Sequence, residues 1–190
     1  MQLSIGIAVA LMGAVAAQAS SEQIISDAQR PVWGSYGDIK VSRLSEPKAP
    51  GGTLVRISVP RAGANFWDSS ATGAISKAVK KGDIVTIGFF ARSGEPGKPA
   101  WVNAVVGSVT PPFKAAAVGR VELDDEIRFH CVEGISPVDV GDKQGRLTLH
   151  VAGAKQVVDL GPYMVTTRAS GSETQLPCAG KVKSSAQATD

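Results

Sequence analysis

Two tryptophans stand among polar side chains in a spacing that suits ligand contact. Trp67 has Asn65 and Asp68 beside it; Trp101 has Asn103 two residues on and Arg92 at the end of the preceding apolar run. An indole plane can lie against the C–H face of a sugar ring, and amide, carboxylate and guanidinium groups can meet its hydroxyls. Trp33 and Tyr36 could add a rim to such a site. Other uses compete. Tryptophan is highly buried on average, so Trp67 could stand in or beside a core. Arg92 could pair with Glu95 or Asp68. Glu122, Asp124, Asp125 and Glu126 are the densest carboxylate cluster, and two opposed carboxylates can hydrolyse a glycosidic bond. Asp124 and Asp125 stand between two apolar runs, however, where acidic turn residues are ordinary, and the turn reading is preferred. Calcium needs six to eight oxygens. Asp38, Asp139 and Asp142 add to the pool of ligands, yet no loop has a dedicated calcium spacing, so calcium is kept only as a minor candidate and no cofactor is assigned. His130 and His150 lack a Cys or His at metal spacing. His130 and Cys131 are adjacent, which on a strand points them to opposite faces and forbids a dyad. No nucleophile elbow, phosphate loop, dinucleotide fingerprint or zinc-protease motif occurs, so no catalytic residue is assigned.

The elements that must position these residues read as strands. Alternating apolar runs cover residues 38–44, 53–59, 65–75, 83–92, 101–109, 114–123, 126–132, 146–151 and 156–168, the last interrupted at Gly161-Pro162. Turn chemistry bounds them, as at Lys81-Gly82-Asp83, Gly94-Glu95-Pro96-Gly97 and Asp124-Asp125. Eight or nine such strands predict an all-β sandwich or barrel. Period-two alternation assigns faces: Val85, Ile87, Phe89 and Ala91 share one and are uniformly apolar, so they face a core, and Phe90 and Arg92 face away. Val102, Ala104 and Val106 form the core set of the next strand, with Trp101 and Asn103 opposite. A hairpin joining these two strands would bring Arg92 and Trp101 together at its mouth, in a register that a one-residue slip would undo.

The ends and the composition set the frame. An apolar run over residues 3–15 followed by Ala17-Gln18-Ala19 fits a secretory signal with a small-x-small cleavage site, with an uncleaved anchor as the minor alternative. The expected division is a signal at 1–19, a lead-in at 20–37, one sandwich domain at 38–168 and a disordered polar tail at 169–190. The localisation that follows is secreted or periplasmic, and no later segment is long enough to span a membrane. The formal net charge of +3 is small and scattered, with no basic stripe, which argues against nucleic acid. The two cysteines, Cys131 and Cys178, form a disulfide in an oxidising compartment, or remain a buried thiol and a tail thiol.

The segment Lys81-Gly82-Asp83-Ile84-Val85-Thr86-Ile87-Gly88-Phe89-Phe90-Ala91-Arg92 resembles the strand after the Lys-Gly-Asp turn of family 4 and family 9 carbohydrate-binding modules, jelly rolls of galactose-binding-like topology. Val59-Pro60 with Gly63-Ala64-Asn65-Phe66-Trp67-Asp68 is similar to the segment before it. Gly145 to His150 and Gln156 to Val165 are similar to the closing strands. The resemblance covers residues 36–168. It implies a jelly-roll β-sandwich that binds a polysaccharide or oligosaccharide without catalysis, through Trp101 and Trp67 with Arg92, Asn65, Asn103 and Asp68. Two other readings stand beside it: an envelope or assembly protein whose sandwich face binds a protein partner, and a small glycan-active hydrolase using the carboxylates at 122–126.

Overall fold

The computed structural model describes residues 22–27, 32–178 and 182–183. The signal segment expected at 1–19 lies outside them. Twelve strands are present among the described residues: β1 (Gln23–Ile24), β2 (Gly34–Tyr36), β3 (Lys40–Ser45), β4 (Thr53–Val59), β5 (Ser70–Ala74), β6 (Ile84–Ser93), β7 (Ala100–Ser108), β8 (Ala115–Leu123), β9 (Arg128–Ile135), β10 (Gly145–His150), β11 (Gln156–Arg168) and β12 (Val182–Lys183). They form two sheets. The seven-stranded sheet runs β12-β9-β6-β11-β4-β3, with β1 added to β11, and the five-stranded sheet runs β2-β5-β10-β7-β8. All pairings are antiparallel except the short one of β12 with β9. The fold is a jelly-roll β-sandwich.

The alternation in the sequence drives this arrangement, since each strand must bury one row of side chains and solvate the other. Val85, Ile87, Phe89 and Ala91 of β6 have no exposed surface, and neither do Val102, Ala104 and Val106 of β7 or Leu147 and Leu149 of β10. These rows meet between the sheets, where losing one leucine to alanine typically costs about 2–5 kcal/mol. The break at Gly161-Pro162 does not end β11. It shifts the register against β6 between Leu160 and Tyr163, because Pro162 has no N–H to give to a ladder. The indole of Trp33 donates to the Gly161 carbonyl at 2.8 Å there. Gly82, at φ +92°, makes the left-handed turn before β6 that a side chain would resist.

Two expectations are corrected. The two strands predicted to form a hairpin, β6 and β7, belong to different sheets, and the connection at residues 94–99 crosses the sandwich. The run at 65–75 is a strand only from Ser70 onward, because residues 60–69 form a loop fixed to the β10–β11 turn: Gly63 N–H donates to the Ala152 carbonyl and Ala152 N–H to that of Phe66. The described part of the polar tail, residues 169–178, lies against the sandwich. It lacks core side chains, but a disulfide from Cys178 to Cys131 on β9 anchors it, and Glu22 accepts hydrogen bonds from Thr174 Oγ1 and Gln175 N–H.

Candidate functional site on the open sheet face

The outer face of the five-stranded sheet is built from registered rows. Tyr36 pairs with Ser70, Ser70 with His150, His150 with Asn103, and Asn103 with Arg120. Directly opposed residues on neighbouring strands share a face, so these five side chains form one row across the sheet. Trp101, opposite Glu122, stands just beyond its β7–β8 end. The loop at 60–69 brings Phe66 and Trp67 to the same end of the strands.

Trp67 is 48% exposed, the most open of the tryptophans; the competing placement in the core does not occur. Its ring meets Phe66 edge-on at 4.6 Å, and Phe66 meets the His150 ring at 5.5 Å. Beneath them a polar chain locks the geometry: Ser70 Oγ lies 2.8 Å from His150 Nδ1 and donates to Tyr36 Oη, and Tyr36 Oη donates to the Trp67 carbonyl. Burial pushes His150 down to about 4, so the ring is neutral at physiological pH. Asn65 and Asp68 serve the loop itself, since the Asn65 N–H and side-chain amide both donate to the Asp68 carboxylate.

Trp101 is half-buried and tightly placed. A Cβ on Gly153 would come within 1.9 Å of its Cη2, so only glycine leaves room for the ring. The Arg120 guanidinium covers the ring at 3.9 Å from its centroid and is itself held by Glu122 at 2.6 Å. Below, the buried amide of Gln156 accepts from the Trp101 N–H and donates to the carbonyls of Trp101 and Val151. Asn103 has no side-chain hydrogen bond to another described residue, so its amide is uncommitted. Sequence reasoning missed Arg120 and Ser70, whose roles arise from cross-strand register, Gln156, which reaches Trp101 from the other sheet, and Phe66, which the 60–69 loop brings to His150. The glycine at 153 carried no local signal for Trp101, 52 positions away in the chain.

Arg92 is not part of this face. It lies on the outer side of the other sheet, where Arg92 and Arg56 converge on the fully buried carboxylate of Asp159. Arg56 makes two contacts, at 2.7 and 2.9 Å, and Arg92 also reaches Glu46 at 3.0 Å. Neither Glu95 nor Asp68 is its partner. The Asp159 hydrogen bond raises the Arg56 pKa against the opposing effect of burial. In the carboxylate cluster, Glu122 pairs with Arg120, and Asp124 and Glu126 pair with Arg128. Among the described residues no group of three His, Cys, Asp or Glu side chains is arranged to hold a metal ion.

No family model and no curated protein matches the chain. Its fold has counterparts among solved structures of carbohydrate-binding modules. It is similar to a family 4 module at 15% identity, covering 72% of this chain and 86% of that one with a TM-score of 0.54. The second N-terminal cellulose-binding domain of Cellulomonas fimi β-1,4-glucanase C also gives 0.54, at 22% identity over 77% of this chain and 93% of that one. The first family 22 xylan-binding domain of Paenibacillus barcinonensis Xyn10C gives 0.51, at 14% identity over 82% and 100%. The chain has the jelly-roll fold of these modules.

Proposed function

We propose that the open face of the five-stranded sheet binds a polysaccharide or oligosaccharide without cleaving it, in a secreted or periplasmic protein. The observation that carries this reading is the clustering of Trp67, Phe66 and Trp101 at one end of an otherwise polar sheet face, beside the uncommitted amide of Asn103. Trp67 is the stacking platform, because its ring is the most open. Trp101 with Arg120 forms the second wall and offers guanidinium donors to hydroxyls. Asn103 reads the sugar between them, and Asn65 and Asp68 shape the loop that carries Trp67. Neutral His150 adds no charge of its own to that row. Two modules of the same fold are a cellulose-binding and a xylan-binding domain, which makes β-linked plant glycans the first to try.

The test is affinity electrophoresis through gels containing soluble cellulose derivatives, xylan, β-glucan and bacterial glycans, with Trp67→Ala and Trp101→Ala alongside. Retardation by one glycan, weakened about tenfold or more in Trp67→Ala, is the expected result, since an exposed aromatic anchor carries a large share of such an interface. Migration unaffected by every glycan sends the face to a protein partner instead.

A further inference from the structure

The end of the sandwich opposite the tryptophans has a different chemistry. Three connections meet there: residues 75–83 between β5 and β6, 109–114 between β7 and β8, and 136–144 between β9 and β10. They form one continuous platform. Val79 bridges Val140, Gly82 N–H donates to the Ser136 carbonyl, and Val109 N–H donates to that of Gln144. Five lysines (Lys77, Lys80, Lys81, Lys114 and Lys143) project from it against three aspartates, Asp83, Asp139 and Asp142, and Arg146 begins the strand that leaves it. All six cations are exposed, and none is in an ion pair with another described residue. The segments that adjoin this platform, residues 22–27 and 169–173, add Glu22, Asp27 and Glu173, whereas the connections at the tryptophan end hold three cations against six carboxylates, so the lysines are gathered at this end.

The basic pole also exposes apolar side chains. Phe113 is 74% exposed and Ile135 65%, the two most open large hydrophobic residues described. Phe113 is held out by a braced turn, in which Ser108 Oγ donates to the carbonyls of Thr110 and Pro112 and accepts from the Lys114 N–H. A polyanion in water would be met by the lysines alone and would gain nothing from a phenyl ring projecting beside them. A bilayer interface uses both: cations near an anionic leaflet contribute attraction, and an aromatic ring sinks to the acyl boundary. The chain also enters the sandwich at this pole, where Gln23 pairs with Thr167 near the end of β11.

We infer that this pole docks on an anionic phospholipid surface, with Phe113 as the inserted anchor and the lysines as the charge contact, leaving the tryptophan pole turned outward. The docking is independent of what the open sheet face binds. The test is co-sedimentation of the purified chain from Ser20 onward, which keeps every described residue and removes the apolar leader. Vesicles of phosphatidylcholine alone are compared with vesicles containing phosphatidylglycerol, at low and high salt. Expected are association with the anionic vesicles only, loss at high salt, a weakening of about tenfold for Phe113→Ser and about fivefold for each lysine of Lys80 and Lys81 changed to Gln. These positions are exposed, so unchanged thermal melting excludes misfolding. Failure to associate with anionic vesicles at low salt overturns the inference. So does equal association with neutral vesicles, or association indifferent to Phe113 and the lysines. Retention on a heparin column without vesicle association overturns it as well, assigning the lysines to a soluble polyanion.

Discussion

On the outer face of the seven-stranded sheet, charged side chains are buried together and covered by chain; on the outer face of the five-stranded sheet, aromatic and polar side chains are left open. Asp159 gathers Arg56 and Arg92 on the first face. Farther along, the buried guanidinium of Arg168 reaches Thr86, Glu133 and the Ser172 carbonyl, and lies 3.8 Å from Glu22. The segment from Ala169 to Cys178 lies across this network, and its disulfide holds it down. Gly88 belongs to the same closure, since a Cβ there would strike the Phe129 ring at 2.4 Å and meet Leu176 at 3.3 Å. The second face is capped only at one end, where the 60–69 loop packs Phe66 on His150, and its polar groups are braced from below by Ser70 and Gln156 and alongside by Glu122. One face therefore stabilises, and the other is held rigid for contact. The difference predicts that mutations on the first face alter folding and spare binding, and that mutations on the second do the reverse.

The largest break in that division comes from Asp159→Ala. It removes the shared carboxylate of two largely buried arginines, leaving Arg92 with Glu46 and Arg56 with the Gly94 carbonyl, and urea unfolding is expected to show a loss of about 3 kcal/mol, with glycan retardation of the folded fraction unchanged. Replacing Cys131 and Cys178 together by Ser removes a link between residues 47 apart in sequence. A loss of about 2–3 kcal/mol is expected by the same measurement, toward the lower part of the usual range because the terminal segment can detach without the sandwich unfolding.

Acid separates the two faces by pH. The His150 pKa falls from 6.5 to about 4 on folding, so the unfolded chain binds a proton there that the folded one does not. Its contribution to stability is present above pH 6.5 and declines as pH falls toward 4, by an amount on the order of 2 kcal/mol for a partly buried ring. On the covered face, burial raises the Glu22 pKa, but hydrogen bonds from Thr166, Gln175 and Thr174 outweigh it, and the net shift is below 4.5. Its contribution is present above 4.5 and disappears as pH falls through the lowered value. Thermal melting of His150→Gln across this range should lack the upper loss and keep the lower one. A wild-type profile flat between pH 6.5 and 4 would contradict the account of His150.

Smaller effects on stability test the open face. Gly153→Ala must displace the Trp101 ring and is expected to weaken glycan retardation about tenfold, equivalent to about 1.4 kcal/mol. Trp67→Ala should change stability by less than about 0.5 kcal/mol, as surface substitutions do, while having the larger effect on binding. Were Trp67→Ala to unfold the protein, the ring would belong to the core and the contrast between the faces would be lost.

The alternation of Val85, Ile87, Phe89 and Ala91, and of Val102, Ala104 and Val106, determined which side of each strand faces inward, because side-chain direction along a strand is a local property. Thr53–Val59 and Gln156–Arg168 were legible to the residue as strands for the same reason. Trp67, Trp101 and Asn103 could be singled out from residue type and near neighbours. The sequence could not assign strands to sheets. Arg92 and Trp101 are nine positions apart yet stand on opposite outer faces, because the connection between them crosses the sandwich, and whether it crosses depends on contacts distant in the chain. The same dependence hid Gly153 beneath Trp101, Glu22 beside Arg168 and the tail bound to β9 through Cys178. It also hid the gathering of five lysines at one end, since a charge has no pole until the loops that carry it are brought together.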